Sequence, residues 1–123
     1  MKVTSERFMY FKNNEFLNCE PVCTIFDMDY IFMKMLDLAR LIAGIPFILN
    51  SAYRTVKHER ERGRRGLSSH TKGMAVDIHC TDSDDRITIV DALIKAGFCR
   101  IGIAHNFIHV DNDKEKPNAM WLY

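Results

Sequence analysis

The segment GMAVDIHC, residues 73–80, constrains the fold more than any other part of the chain. Its apolar residues recur at every second position, which is the pattern of a β-strand with one buried face. Val76 and Ile78 belong to the face expected to be buried, and Asp77 lies on the opposite face beside the small Ala75. A small neighbour leaves room for a ligand or an ion to approach the carboxylate.

A second segment, HNFIHVD at residues 105–111, shows the same alternation. Ile108 and Val110 are expected to face the core, so His109 lies in the middle of the strand on the opposite face. The preceding segment RIGIA is also strand-like, and the short connection between the two predicts a hairpin.

Two other segments, 27–44 and 82–97, show helical periodicity. The first has Asp27 as its candidate N-cap and Gly44 at its end. The residues expected to face the core are Ile31, Met35, Leu38 and Ile42 in the first helix, and Ile87, Val90 and Ile94 in the second.

The order of these elements predicts the fold class. FILNSAYR reads as a further strand, and TVKHERERGRRGLSS reads as a polar loop. Helices and strands do not alternate in a regular βαβ rhythm, so we expect an α+β fold with a mainly antiparallel sheet and packed helices. A length of 123 residues predicts one domain, residues 1–123.

Composition excludes several classes of protein. A formal net charge of +1 argues against a dedicated nucleic-acid binder, which usually carries a strong basic excess. No apolar run approaches the roughly 20 residues needed to span a bilayer, and the first residues lack the apolar centre of a signal peptide. We therefore expect a monomer synthesised in the cytoplasm, without membrane insertion and without nucleic acid as a partner. Its four cysteines are expected to be reduced thiols, with Cys19 and Cys23 a weaker candidate for a metal pair.

Three side chains predict a metal site. His70 lies seven positions before Asp77, on the loop leading into the strand, and can fold back toward it. His109 supplies a third ligand from a neighbouring strand. A catalytic zinc ion uses three protein ligands and leaves its fourth position to water. Spacing alone also allows a hydrogen-bonded His–Asp pair without metal.

A resemblance favours the metal. The pattern S-x-H-x-x-G-x-A-x-D is formed by Ser68, His70, Gly73, Ala75 and Asp77. It resembles the signature of the zinc D-Ala-D-Ala carboxypeptidase family, which includes peptidoglycan endopeptidases and bacteriophage lysis enzymes and shares its fold with the hedgehog signalling domain. SAYRT upstream resembles the family's strand carrying a substrate-binding arginine, here Arg54. FIHVD downstream resembles the segment carrying the last zinc ligand, here His109.

The resemblance implies a zinc peptidase that acts on the stem peptides of the bacterial cell wall after release from the cell. Zn²⁺ would be held by His70, Asp77 and His109, and would activate a water molecule for hydrolysis. Arg54 would bind a substrate carboxylate or carbonyl oxygen, and Ser68 would hydrogen-bond the substrate backbone. Whether such an enzyme trims chain ends or cuts internally stays open.

The general base departs from the family pattern. Many members place a Glu or Asp three residues before the last ligand, where this chain has Asn106. Asp111 and His105 are the substitutes that share the face of His109, and the alternative role of Asp111 is to orient a histidine ligand. Without a base the chain would be a zinc-binding module that binds wall peptide or a protein partner.

The charge cluster VKHERERGRRG, residues 56–66, has two interpretations. It is either a solvated loop or the rim of the cleft, where its basic residues would attract anionic wall polymer or stem-peptide carboxylates.

Overall fold

A five-stranded sheet in the order β1-β2-β4-β3-β5 organises the computed structural model, which describes all residues 1–123. The strands are β1 (Leu49–Ser51), β2 (Ala75–His79), β3 (Arg100–Ile103), β4 (Phe107–Asp111) and β5 (Ala119–Leu122). The α-helices are α1 (Asn13–Leu17), α2 (Tyr30–Ala43), α3 (Val56–Glu61) and α4 (Ser83–Lys95), and 3₁₀ turns lie at Ile25–Asp27 and Ser69–Lys72.

The predicted fold class, α+β with a mainly antiparallel sheet, is confirmed. β1 pairs with β2, β2 with β4, and β4 with β3, all antiparallel, and β3–β4 is the predicted hairpin. The sequence did not predict β5, which pairs parallel to β3 at the sheet edge. β5 is a four-residue run, AMWL, without period-two alternation, so nothing local distinguishes it from a loop.

Most residues predicted to face the core from the two long helices are exposed, although Met35 and Val90 do pack against the core. The buried residues of α2 are Phe32, Met33, Leu36 and Ala39, and those of α4 are Ile89, Ala92 and Leu93. Ile31 and Ile87 are instead 55% and 68% exposed. Both helices carry apolar residues around much of their circumference, so more than one stripe fits the 3.6-residue period, and packing of α2 against α4 selects between them.

The cap of α2 also differs from the prediction. Asp29, rather than Asp27, is the N-cap, and its carboxylate accepts a hydrogen bond from the Phe32 backbone N–H at 3.0 Å. Asp27 instead lies in the preceding 3₁₀ turn, where its carboxylate accepts from the N–H of the N-cap residue, Thr24. The predicted end holds, because Gly44 follows the helix with a left-handed φ of 69°.

The segment predicted as a polar loop contains helix α3. Thr55 is its N-cap and accepts from the His58 N–H at 3.0 Å. Most charged side chains of α3 face solvent, but Glu59 is buried. The loop interpretation missed this helix because Gly63 and Gly66, which follow it, dominated the pattern.

Gly73 fixes the turn that carries His70. Its φ of 69° lies in the left-handed region, and a Cβ there would lie 2.5 Å from the Asp27 carbonyl oxygen. Only glycine therefore allows the turn at Ser69–Lys72 to pack against the residues that precede α2.

None of the helices combines the length and apolarity that crossing a bilayer requires.

A buried ion cluster also stabilises the turn at Ser69–Lys72. The Asp113 carboxylate, 1% exposed, accepts from Ser69 Oγ at 2.8 Å and from Lys72 Nζ at 3.0 Å. Burial alone would raise the pKa of Asp113, but the hydrogen bonds from Lys72 and Ser69 outweigh it and lower the pKa. The cluster therefore joins the turn at Ser69–Lys72 to the segment after β4, with Ser69 and Asp113 lying 44 positions apart in sequence.

We expect Asp113→Asn to lower the free energy of unfolding by about 1.5–3 kcal/mol at neutral pH, the range for hydrogen bonds to a charged group. Because the folded pKa lies below the usual 3.8, this stabilisation is present above that value and is lost as the pH falls through the folded pKa. Denaturant titrations at several pH values should show a weaker acid dependence in the variant. Glu115→Gln, whose parent side chain is 84% exposed and also contacts Lys72, is the matched control. Equal effects of the two substitutions would contradict the prediction.

Candidate metal centre

His70, Asp77 and His109 converge at one point of the sheet. Asp77 in β2 lies directly opposite His109 in β4, and His70 reaches them from the 3₁₀ turn before β2. One candidate ligand atom from each residue lies within 4.8 Å of the other two, and all three residues are buried. The antiparallel register brings the side chains together because the polar faces of both strands lie on the same side of the sheet.

The candidate ligand atoms of the three residues are arranged to bind a cation. His70 Nδ1 lies 2.6 Å from the Ala52 carbonyl oxygen, which can only accept, so Nδ1 carries the proton. His70 Nε2 then faces Asp77 Oδ1 at 3.5 Å. His109 Nδ1 approaches the same oxygen at 3.0 Å. Two imidazole nitrogens and a carboxylate oxygen that face one point are stabilised by a proton or a metal ion between them, and this set of ligand atoms fits Zn²⁺.

Asp111 lies behind His109, on the side of the ring away from the other two candidate ligands. Its Oδ2 contacts His109 Nε2 at 2.7 Å, and its Oδ1 accepts from Arg100 Nε at 2.7 Å. The side chain is only 1% exposed. This geometry agrees with the alternative considered from sequence, in which Asp111 orients a histidine ligand, and it does not place the carboxylate where a catalytic base would act.

The other proposed base, His105, lies in the β3–β4 turn and is exposed. Arg86 donates to its carbonyl oxygen at 3.0 Å, and the side chain does not line the cleft beside the three candidate ligands. Asn106 is exposed in the same turn, where its carbonyl oxygen accepts from the Cys80 N–H. The structure therefore separates His105 and Asn106 from the candidate centre.

An open cleft of about 300 Å³ lies over the centre. Its lining residues are Arg54, Glu59, Arg64, Ser68, His70, Asp77, Phe107, His109 and Tyr123. The two residues predicted to bind substrate, Arg54 and Ser68, are both in this lining. Ser68 Oγ accepts from the His70 N–H at 3.1 Å, so it also holds the turn that presents His70.

Arg54 is held tightly within the cleft wall. Its Nε donates to Ser51 Oγ at 3.0 Å, and its Nη2 donates to Asp77 Oδ2 at 3.2 Å. Asp77 thus directs one oxygen toward the histidines and the other toward the guanidinium. The side chain of Arg54 remains 17% exposed, so part of it faces the cleft.

Trp121 from β5 packs beside His109, with ring centroids 5.5 Å apart. The indole lies over Gly102, where a Cβ would come within 2.5 Å of Trp121 Nε1. Tyr123 and Phe107, whose ring centroids lie 5.0 Å apart, form the aromatic part of the cleft lining.

Sequence reasoning missed Glu59 as a cleft residue, because the rim interpretation of the charge cluster concerned only its basic residues, of which Arg64 does line the cleft. The only local signal was Thr55, a residue that favours the N-cap position and could have predicted α3. A helix there turns Glu59 inward while leaving Lys57 in solvent.

The electrostatics of the centre favour opposite charges side by side. Burial alone would raise the pKa of Asp77, but hydrogen bonds with His109 and His70 outweigh it and lower the pKa. Burial alone would lower the pKa of His109, but Asp111 and Asp77 together raise it. Protons compete with a metal ion for the ring nitrogens of His109, so the affinity for the ion should weaken in acid.

Comparison with known proteins agrees with this geometry. The family model described as Peptidase M15 matches residues 9–111, which include all three candidate ligands and the cleft residues up to β4. No curated protein matches the chain at a significant level. The matched region covers most of the 123 residues and supports a metallopeptidase type of function. The chain belongs to the peptidase M15 family.

Proposed function

We propose that this protein is a zinc peptidase that hydrolyses peptide bonds in the stem peptides of bacterial peptidoglycan. The observation that carries the proposal is the convergence of His70, Asp77 and His109 beside Arg54 in an open cleft. Membership of the M15 family supports peptidase activity. The choice of substrate is supported by the resemblance of Ser68–Asp77 to the D-Ala-D-Ala carboxypeptidase signature, and both carboxypeptidase and endopeptidase action fit.

The chain supplies three candidate metal ligands, and further contacts hold the two histidine rings among them. His70, Asp77 and His109 would hold the zinc ion, and when bound the ion supplies a Lewis acid and an activated water for hydrolysis. The Ala52 carbonyl and the Asp111 carboxylate fix the two imidazole rings from behind. Such outer contacts orient each ring and raise its basicity as a ligand.

The cleft offers groups for the peptide as well. Arg54 presents a guanidinium that stays charged at all physiological pH values, and it would bind a carboxylate or carbonyl oxygen of the substrate. Ser68 would contact the peptide backbone. The protein is proposed to act as a monomer on wall peptides once released from the cell, without nucleic acid or membrane insertion.

A second candidate function is a zinc-dependent binding module that does not hydrolyse its peptide. It is favoured by a specific observation: Asn106 stands where many relatives carry a carboxylate, and neither Asp111 nor His105 faces the cleft as a base. Outside the three ligands, Glu59 and Tyr123 are the cleft residues able to exchange a proton.

The deciding experiment incubates zinc-loaded protein with a synthetic stem pentapeptide ending in D-Ala-D-Ala and with cross-linked wall fragments, and follows products by mass spectrometry. Cleavage of the first identifies a carboxypeptidase, and cleavage of the second alone identifies an endopeptidase. Binding without cleavage supports the module. Neither binding nor cleavage would refute both candidate functions.

Arg54→Lys is expected to keep stoichiometric zinc while lowering kcat/KM by about 10- to 100-fold. Lysine keeps the charge but loses the planar fork that reaches Ser51, Asp77 and the cleft at once. The expected range corresponds to about 1.4–2.8 kcal/mol, as expected for charged hydrogen bonds. Arg60→Lys, on the exposed face of α3, is the matched control. Unchanged turnover of the Arg54 variant would remove this residue from the site.

A further inference from the structure

Glu59 is a buried carboxylate in the wall of the cleft. Its side chain is 0% exposed, although it lies on a helix whose other charged residues face solvent. Its Oε2 accepts a short hydrogen bond from Arg64 Nη1 at 2.6 Å. Its Oε1 has no hydrogen-bond partner and lies 3.5 Å from Arg54 Nη1.

A buried carboxylate with a free oxygen is costly unless nearby charges compensate it. Burial alone would raise the pKa of Glu59, but the hydrogen bond from Arg64 and the charge of Arg54 outweigh it and lower the pKa. Glu59 is therefore an anion at neutral pH. It lies between two guanidinium groups, of which Arg64 is half exposed and Arg54 is largely buried.

The position of Arg54 depends on anions on two sides. Asp77 Oδ2 holds Nη2 at 3.2 Å, and Glu59 attracts Nη1 from the wall formed by α3. Without Glu59, Asp77 would be the only anion in contact with Arg54. The guanidinium would then turn toward the metal ligand and away from the part of the cleft where peptide binds. Arg64 keeps Glu59 in place through its short hydrogen bond to Oε2.

We propose that Glu59 is a positioning residue, which directs the guanidinium of Arg54 into the cleft and so sets the affinity for the anionic end of the peptide. This inference rests on the proposed function, because it requires a peptide that Arg54 binds. It assigns Glu59 no proton transfer, since a carboxylate held by arginines on both sides is a weak base. Arg64 holds the Glu59 carboxylate in this position.

The test is a double-mutant cycle in Glu59 and Arg54. Glu59→Gln, which has nearly the same shape, should weaken binding of the D-Ala-D-Ala pentapeptide about 10-fold by calorimetry on metal-free protein. In zinc-loaded protein it should raise KM by a similar factor, with kcat and zinc affinity changed less than about twofold. In an Arg54→Ala background the same substitution should change binding less than about twofold.

Two controls separate positioning from general damage. Glu61→Gln removes an exposed carboxylate from the same helix and should leave binding unchanged. If Glu59→Gln folds poorly, Arg64→Ala tests the contact that holds Glu59 in place, and the parent Arg64 side chain is 51% exposed. It should weaken peptide binding only when Arg54 is present.

The outcomes distinguish this inference from the proposed function. Equal losses from Glu59→Gln with and without Arg54, or no loss at all, would overturn the positioning role while leaving the peptidase proposal intact. If the parent protein binds no stem peptide, the proposed function fails and the inference fails with it. A loss that disappears in the Arg54→Ala background supports both.

Discussion

Asp77→Ala should abolish stoichiometric zinc binding and, with it, peptide cleavage. Asp77 is the centre of the site, because its Oδ1 faces both histidines and its Oδ2 holds Arg54. Loss of an outer contact alone typically costs about 10- to 100-fold in metal affinity, so loss of a ligand should cost about 100-fold or more. Metal analysis after dialysis against a weak chelator would measure the effect.

Asp91→Ala is the matched control for this substitution. Asp91 is 54% exposed on α4 and pairs only with Lys95, so its removal changes the net charge equally without touching the centre. That variant should retain one zinc per chain and full cleavage. Retention of stoichiometric zinc by Asp77→Ala would show that the three residues are not the metal site.

The second large effect is expected from Asp111→Asn. The Asp111 carboxylate accepts from Arg100, from the Asp113 N–H and at His109 Nε2, and an amide cannot accept all three because one of its atoms is a donor. We expect a loss of about 1–3 kcal/mol in the free energy of unfolding and a fall of about 10- to 100-fold in zinc affinity. Denaturant titration and competition with a chromogenic chelator would measure the two quantities.

Asp84→Asn, an exposed position on α4, serves as the control and should change neither quantity. The informative contrast is between zinc affinity and cleavage. If Asp111→Asn kept the parent affinity and stability yet lost its cleavage, Asp111 would be the base after all, and the orienting role deduced from its contact with His109 would be wrong.

Much of the centre was predictable from the sequence because period-two alternation reports which face of a strand a residue occupies. Val76 and Ile78 in one strand and Ile108 and Val110 in the other define a common buried face. Once that face is fixed, Asp77 and His109 must share the opposite one. The antiparallel register of β2 against β4 then sets them side by side, and that register is seen only in the structure.

Other features of the site and of the helices cannot be predicted from such patterns. Alternation correctly puts Asp111 on the face of His109, but it cannot say on which side of an imidazole ring a carboxylate two residues away will lie. The buried face of α2 could not be predicted because Ile31 and Phe32 are both strongly apolar, and only the contact with α4 decides which of their faces is buried. Glu59 resembles its exposed neighbours in sequence and differs from them only through Arg54 and Arg64.

The cross-strand origin of the centre makes metal binding a reporter of folding. Asp77 and His109 are 32 residues apart and meet only when β2 and β4 pair, so an unfolded chain offers no preformed site. A ligand that binds only the folded state shifts the unfolding equilibrium by mass action, by about 2.7 kcal/mol at a free concentration 100 times its Kd. The melting temperature of this protein should therefore rise with the free zinc concentration, and a strong chelator should return it to that of the bare chain.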